Sequence, residues 1–163
     1  DRQLREALIV LPNQSTTFEI EISKYEYVKA ATTKDIGGAI IRIYSPEMLA
    51  IEKLRALCQQ VKEYREIIGS MVRRSRARDF YDIYILTEQF QIIPEENSIL
   101  AKDIFAAKKV PHNYFKKVLD DREFHRTSWE AVLQTLTARE EVKDFDLYFD
   151  YVIRKYKNLF KNL

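Results

Sequence analysis

The chain has 163 residues, of which 46% are hydrophobic and 12% aromatic, enough for one domain or two small lobes to bury a core. Charged residues make up 32% and nearly cancel to a net charge of +2, so overall charge does not by itself require a nucleic-acid partner. The single cysteine, Cys58, excludes an internal disulfide and indicates a reducing, cytoplasmic compartment. No apolar run approaches the roughly 18 residues of a membrane span, so no membrane association is expected.

The first 44 residues carry the features of β-strands. Strand-like apolar runs occupy residues 7–11, 17–28 and 39–44, with turn residues at 12–13 and 35–38. In the second run, Glu19 and Glu21 share one face of the predicted strand. Two carboxylates so placed can share a divalent cation, although such a pattern is more often the solvated face of a half-exposed strand.

From residue 46 onward the pattern is helical. Periodicity predicts helices over 46–68, 77–90, 98–109, 112–120, 128–139 and 144–162. The predicted fold class is α+β, with a short, mostly antiparallel sheet in residues 1–44 joined to a helical lobe in residues 45–163. In the last helix, aromatic and aliphatic residues recur at helical spacing, which predicts core rather than a stacking surface.

The first predicted helix has a clear start. Ser45 suits the capping position, Pro46 suits the first helical position, and Glu47 lies at the positive end of the helix dipole. These three residues therefore fix the beginning of the helix.

Lys53 lies where an apolar residue is expected. At about 100° per residue, an apolar stripe is centred on Ala50, Leu54, Leu57 and Val61. Lys53 falls just inside the edge of this stripe, whereas Glu52 and Arg55 are expected to point elsewhere. A lysine on the inner wall of a helix needs a partner or a function.

An aspartate repeats this feature on the next predicted helix. Asp79 lies at the N-terminal end of the apolar stripe, and Asp82 lies at its flank. Pairing of Lys53 with Asp79 explains both positions, either as a structural ion pair that locks two helices or as part of a cleft. In a cleft, the lysine would meet phosphate while the aspartate orients it or accepts a proton.

An arginine run precedes Asp79. Its members are Arg73, Arg74, Arg76 and Arg78. Near a helix N-terminus such a run can bind a triphosphate or an RNA backbone, and it can equally be a solvated loop between helices.

Several site classes are poorly supported. Three glycines cannot supply a phosphate-binding loop or a dinucleotide fingerprint. His112, His125 and Cys58 are too few and too scattered for zinc, and no serine or cysteine lies in a recognisable nucleophile setting. Hydrolase and zinc sites are therefore not expected.

Two segments carry a family resemblance, PEMLAIEKLRAL (46–57) and RARDFYDIYIL (76–86). They resemble the AbiEii/AbiGii toxin family of nucleotidyltransferases, in which a polymerase-β-like lobe carries a glycine motif and a D-x-D motif. Lys53 matches the family's third-motif lysine within E-K-L-R-A-L, and Asp79 matches its fourth-motif aspartate within R-D-x-Y-D-x-Y. The segment TFEIEIS resembles the strand after the D-x-D, with Glu21 the best match and Glu19 the next. The resemblance covers about residues 17–90.

The resemblance implies transfer of a nucleotide from a nucleoside triphosphate to an RNA end such as tRNA, with pyrophosphate leaving. Mg²⁺ would be the cofactor, and Glu21 and Glu19 its candidate ligands here. Lys53 would stabilise charge on the triphosphate, and Asp79 would position Lys53 or assist deprotonation of the acceptor, with Asp82 and Glu47 as secondary residues. The resemblance further implies a type IV toxin–antitoxin or phage abortive-infection role, with a cognate antitoxin, often a DNA-binding regulator, as partner.

The sequence also departs from the family pattern, because no glycine motif and no D-x-D pair precedes Glu19. The chain begins at Asp1 rather than methionine, which predicts the C-terminal part of a longer protein, although trimming at a true domain start explains it equally well. The chain alone is then expected to be inactive. Two other functions remain open at this point: a non-catalytic helical module that binds a protein, and an RNA-binding module that uses the arginine run.

Overall fold

The structure, a computed structural model, describes residues 25–69, 72–136 and 141–161. The predicted strand at 7–11 and most of that at 17–28, with Glu19 and Glu21, lie outside these residues. The described chain begins with an antiparallel hairpin of β1 (Thr32–Ile36) and β2 (Ala39–Ile43), in which Thr32 pairs with Ile43. The strand predicted over 39–44 is therefore confirmed, and β1 is an additional strand.

The hairpin turn is made by two glycines. Gly37 and Gly38 have φ angles of +62° and +87°, values that residues with a side chain rarely adopt. Asp35 supports the turn, since its Oδ1 accepts a hydrogen bond from the Gly38 N–H at 2.8 Å. The turn signal at 35–38 was therefore readable from local sequence.

Helices follow the hairpin. They are α1 (Pro46–Cys58), α2 (Tyr64–Ile68), α3 (Ala77–Gln89), α4 (Ser98–Ala107), α5 (Tyr114–Lys117), α6 (Arg122–Arg126), α7 (Trp129–Leu133) and α8 (Phe145–Tyr156), with 3₁₀ turns at Pro94–Asn97 and Val118–Asp121. The α+β fold class is confirmed, whereas the proposed division at 44/45 stays a prediction. No helix in the described segments is long and apolar enough to cross a bilayer.

The single helix predicted over 46–68 is wrong. The chain leaves the helix at Gln59 and forms a turn before α2 begins. The Gln60 carbonyl, which would continue the helical hydrogen-bond pattern, accepts a bond from the Arg73 side chain, and the Gln60 Oε1 accepts one from the Arg74 N–H at 2.7 Å. A distant segment therefore ends the helix. The later predicted helices over 112–120, 128–139 and 144–162 are likewise shorter than expected.

The core is built around α1, α3 and α8. Phe80 of α3 packs against Phe145 and Phe149 of α8, with ring centroids 5.5 and 5.0 Å apart. The core prediction for the last helix is confirmed, since its apolar face is buried: Phe145, Tyr148, Phe149, Val152, Tyr156 and, after the helix, Leu159. This packing fixes α3 between α1 and α8.

Candidate functional site

The start of α1 follows the predicted signal. Ser45 Oγ accepts a hydrogen bond from the Met48 N–H at 3.3 Å, and only two residues separate β2 from α1. Leu54 and Leu57 are fully buried, while the Lys53 side chain, at the edge of the stripe, keeps 30% of its surface exposed. Lys53 therefore reaches from the core edge toward solvent.

Two aspartates of α3 bind Lys53. Its Nζ lies 3.0 Å from Asp79 Oδ1 and 2.8 Å from Asp82 Oδ2. Asp79 is the more buried, with 11% of its side chain exposed against 22% for Asp82. The sequence placed Asp82 at a less demanding flank, but the structure makes it an equal partner of the lysine.

Two arginines complete what we call the Lys53 cluster, namely Lys53, Arg76, Arg78, Asp79 and Asp82. Arg76 Nη1 lies 3.0 Å from Asp79 Oδ2, and Arg78 Nε lies 2.8 Å from Asp82 Oδ1. Each carboxylate thus bridges Lys53 and one arginine. Three cations face two carboxylates, so the cluster carries one surplus positive charge.

The Lys53 ammonium remains charged at neutral pH. Burial acts to lower the pKa of Lys53, but hydrogen bonds and charges from Asp82 and Asp79 outweigh it and raise the pKa above its ordinary value. A permanently charged, doubly anchored ammonium suits recognition of an anion better than it suits proton transfer.

The cluster borders a pocket of about 410 Å³. Its lining residues are Glu26, Tyr44, Leu49, Glu52, Lys53, Arg55, Ala56, Arg76 and Asp79. The buried Nε of Arg76 has no hydrogen-bond partner among the described residues. Three cations and three carboxylates line the pocket, so the formal charges of its lining balance.

Glu52 and Arg55 were expected to point elsewhere, and this expectation is wrong. Both line the pocket, and their side chains are only 12% and 9% exposed. Arg55 Nε lies 2.7 Å from Glu52 Oε2, and its Nη1 donates to Gln59 Oε1 at 2.6 Å. The i, i+3 spacing of an acid and a base was the available sequence signal.

The earlier half of the arginine run does not line this pocket. Arg73 forms an ion pair with Asp121, and its guanidinium lies 4.2 Å from the centre of the Phe124 ring. Arg74 is exposed and is held through its backbone N–H. Glu47 lies at a separate depression that Gln91 and Ile92 also line. The structure therefore brings together Lys53, Asp79, Asp82, Arg76 and Arg78 from the predicted set.

His125 of α6 contacts the backbone of Arg76, a member of the Lys53 cluster. No pattern in the sequence predicted this contact. The His125 Nδ1 accepts a hydrogen bond from the Arg76 N–H at 3.1 Å, and Ser75 Oγ donates to the His125 carbonyl at 2.6 Å. Burial, followed by the charge of Arg73, lowers the pKa of His125 to about 4. The imidazole is therefore neutral at neutral pH, which leaves Nδ1 able to accept the bond from Arg76.

The described residues do not fit a Mg²⁺ site. Within residues 25–69, 72–136 and 141–161, no three His, Cys, Asp or Glu side chains are grouped to hold a metal. The two carboxylates nearest Lys53 are already neutralised by Lys53, Arg76 and Arg78. Mg²⁺ prefers free oxygen ligands, so these aspartates are poor candidates.

A lysine of α1 and an aspartate of α3 joined by an ion pair, in a chain that also has a short antiparallel sheet, agree with the class of nucleotide-transferring toxins that the sequence resembles. The family described as "Nucleotidyl transferase AbiEii toxin, Type IV TA system" matches residues 3–151. Since this match covers most of the 163 residues, the chain belongs to the AbiEii family. No curated protein and no solved structure gives a significant match.

Proposed function

We propose that the protein transfers a nucleotide from a nucleoside triphosphate to an RNA such as tRNA, and that the Lys53 pocket binds the triphosphate. The observation that carries this proposal is that the Lys53 ammonium is held at a pocket wall by Asp79 and Asp82, at 3.0 and 2.8 Å, with Arg76 beside it in the same lining. Cations fixed in this way can bind a ligand with several negative charges.

Lys53 would bind a phosphate oxygen without losing its anchors. An ammonium has three N–H donors, and Asp79 and Asp82 occupy two of them. The third remains for a ligand. Because the aspartates fix the ammonium before the ligand arrives, its charge is preorganised to stabilise the transferring phosphoryl group and the leaving pyrophosphate.

Asp79 would act as a positioning residue rather than as a proton acceptor. Its two oxygens hold Lys53 and Arg76 at 3.0 Å each, so both are engaged by cations. Asp82 would share this role through Lys53 and Arg78.

We propose Mg²⁺ as the cofactor. It would neutralise charge on the triphosphate. Glu21 and Glu19 are the candidate ligands in this sequence, and they lie outside the described residues. The family further implies a cognate antitoxin as protein partner. We propose that this partner regulates the enzyme in the cytoplasm.

The direct test is a transfer assay with each radiolabelled nucleoside triphosphate and a total RNA pool. The product of the complete gene is expected to label RNA in the presence of Mg²⁺. Lys53→Met should abolish labelling, whereas Lys62→Met, which alters an exposed lysine away from the pocket, should not. Labelling by the Lys53→Met protein at the wild-type rate would refute the proposed role of Lys53.

The 163-residue chain is expected to give no labelling by itself, because no D-x-D pair precedes Glu19. The same assay on the purified chain tests this expectation. Mg²⁺-dependent labelling would contradict it and would favour Glu19 and Glu21 as metal ligands, which Glu21→Gln could then check.

A further inference from the structure

A second pocket, of about 590 Å³, lies on a different part of the helical lobe. One wall comes from the turn before α5 and from α5 itself, and the other from the residues that follow α8. Its lining residues are Pro111, His112, Asn113, Phe115, Lys116, Lys157, Phe160 and Lys161. None of them lines the Lys53 pocket.

The charge of this pocket is unbalanced. Lys116, Lys157 and Lys161 are exposed, form no ion pair with any residue that the structure describes, and share the lining with no acidic side chain. In the Lys53 cluster, by contrast, each cation has a carboxylate within 3.0 Å. On a chain with a net charge of only +2, three such lysines at one pocket form a local positive field.

The pocket also contains a flat aromatic surface. The rings of His112 and Phe160 are stacked, with centroids 4.9 Å apart and planes inclined by 7°. Buried Phe105 packs edge-to-face with Phe160, with centroids 4.9 Å apart, and anchors this pair to the core. His112 and Phe160 themselves are half-buried, so the pair still borders solvent.

We propose that this basic and aromatic pocket binds single-stranded RNA. The lysines would contact successive phosphates, and the His112–Phe160 pair would stack on an unpaired base. Exposed lysines on two separate segments suit a phosphate backbone better than a single compact triphosphate. The choice of RNA rests on the proposed function, in which RNA is the acceptor.

The first test is fluorescence anisotropy with a labelled 12-nucleotide oligouridine at several KCl concentrations and without nucleoside triphosphate. The triple variant Lys116→Gln, Lys157→Gln, Lys161→Gln should bind at least about 10-fold more weakly, and its salt slope should be less negative by about 2. The matched control, Lys34→Gln, Lys62→Gln, Lys102→Gln, removes the same charge from exposed positions outside the pocket. Its affinity should stay within about 2-fold of wild type.

The second test concerns stacking. Phe160→Leu keeps an apolar contact with Phe105 but removes the ring that stacks on His112. We expect RNA binding to weaken about 5-fold or more while the salt slope stays unchanged, since stacking involves no counterion release. Circular dichroism melts of each variant establish that the fold is retained.

Three results would overturn the inference. The first is unchanged RNA binding by the pocket triple variant, and the second is an equal loss of RNA binding in both triple variants. The third is full RNA binding by Phe160→Leu together with competition by inorganic polyphosphate as strong as that by RNA. Binding and transfer assays on the unsubstituted product of the complete gene separate this inference from the proposed function. If that protein binds RNA through these lysines but transfers no nucleotide, the proposed function alone is refuted. Nucleotide transfer together with RNA binding that does not depend on these lysines would refute only the proposed RNA site in the second pocket.

Discussion

Two clusters of ion pairs lie on this protein. They differ in how far their side chains are buried, in their net charge and in whether they border the Lys53 pocket. The Lys53 cluster borders a pocket, and its Asp79 is only 11% exposed. The second cluster, which we call the α6–α8 network, consists of Arg122, Glu123, Arg126, Asp146 and Asp150. Its acidic side chains are 44% to 78% exposed.

The α6–α8 network has better ion-pair geometry. Arg126 binds Asp146 through two hydrogen bonds of 2.7 Å each, and Arg122 adds a third at 2.8 Å. These bonds lower the pKa of Asp146 to about 2. Two cations there face three carboxylates, so no positive charge remains. Good ion pairs therefore do not by themselves indicate a site, whereas a lysine held by two carboxylates at a pocket wall is a candidate for one.

The double variant Lys53→Met, Asp79→Leu is the strongest test of whether the Lys53 cluster is a functional site and the α6–α8 network is not. Transfer by the product of the complete gene should fall about 10²-fold or more, the effect of removing a positioned electrostatic group. The melting temperature should change little, because apolar replacement of both members of a pair is often neutral or stabilising, and Arg76, which loses its carboxylate, is 37% exposed and can turn toward solvent. A transfer assay and a thermal melt on one preparation measure both effects.

The matched control is Arg122→Met, Asp150→Leu in the α6–α8 network, which should keep full transfer activity. A stable Lys53→Met, Asp79→Leu protein with wild-type activity would leave the Lys53 cluster as a structural lock, no different in kind from the network.

His125 links the two regions, since it belongs to α6 and accepts the Arg76 N–H. Its pKa is lowered in the folded protein from 6.5 to about 4, so its stabilising effect is complete above pH 6.5 and is lost as pH falls toward 4. The gap between the two pKa values corresponds to about 3 kcal/mol of unfolding free energy. Urea unfolding from pH 7 to pH 4 should show this loss.

The variant His125→Asn serves as the control for that loss. Its amide oxygen can still accept the Arg76 N–H, but it does not titrate. The unfolding free energy of His125→Asn should therefore vary less between pH 6.5 and 4 than that of wild type. Parallel pH curves for the two proteins would contradict the assignment to His125.

Lys53→Met alone should have a smaller effect on stability. Asp79 keeps Arg76 and Asp82 keeps Arg78, so neither carboxylate is left without a cation. We expect the unfolding free energy to fall by about 1–2 kcal/mol, less than the loss of a fully buried partner causes. A double-mutant cycle with Asp79→Leu gives the coupling energy, and a value near zero would argue against a Lys53–Asp79 bond in solution.

The smallest effect is expected for Arg122→Met in the exposed network. Methionine retains apolar contact with Phe149, over which the Arg122 guanidinium lies at 4.3 Å. The loss should stay below about 1 kcal/mol and shrink further in 1 M NaCl, because exposed ion pairs are screened. Urea unfolding at two salt concentrations measures it. A larger loss that salt does not reduce would show that this network behaves like a buried pair.

Local signals explain what the sequence could predict. Ser45 and Pro46 define the start of α1 through contacts within one turn, and the 3.6-residue period placed Lys53 and Asp79 on inner faces. The family match over residues 3–151 agrees with the motifs that contain these two residues.

Features set by distant segments could not be predicted. The end of α1 depends on Arg73 and Arg74, more than a dozen residues away, which bind Gln60. The burial of Arg55 arises because α3, α4 and α5 surround α1 on several sides, so its buried face is wider than the apolar stripe. Asp82 joins Lys53 because a long flexible lysine can reach a residue beside the stripe as well as one within it.

Cys58, the last residue of α1, can report on the opening of that helix. Its thiol is fully buried, and burial raises its pKa well above the ordinary range, so the reactive thiolate is strongly disfavoured in the folded state. Alkylation of this thiol then requires α1 to separate from its neighbours. Since Lys53 lies on the same helix, the labelling rate of Cys58 measures how often the helix that carries the lysine opens, and a ligand that binds there should slow it.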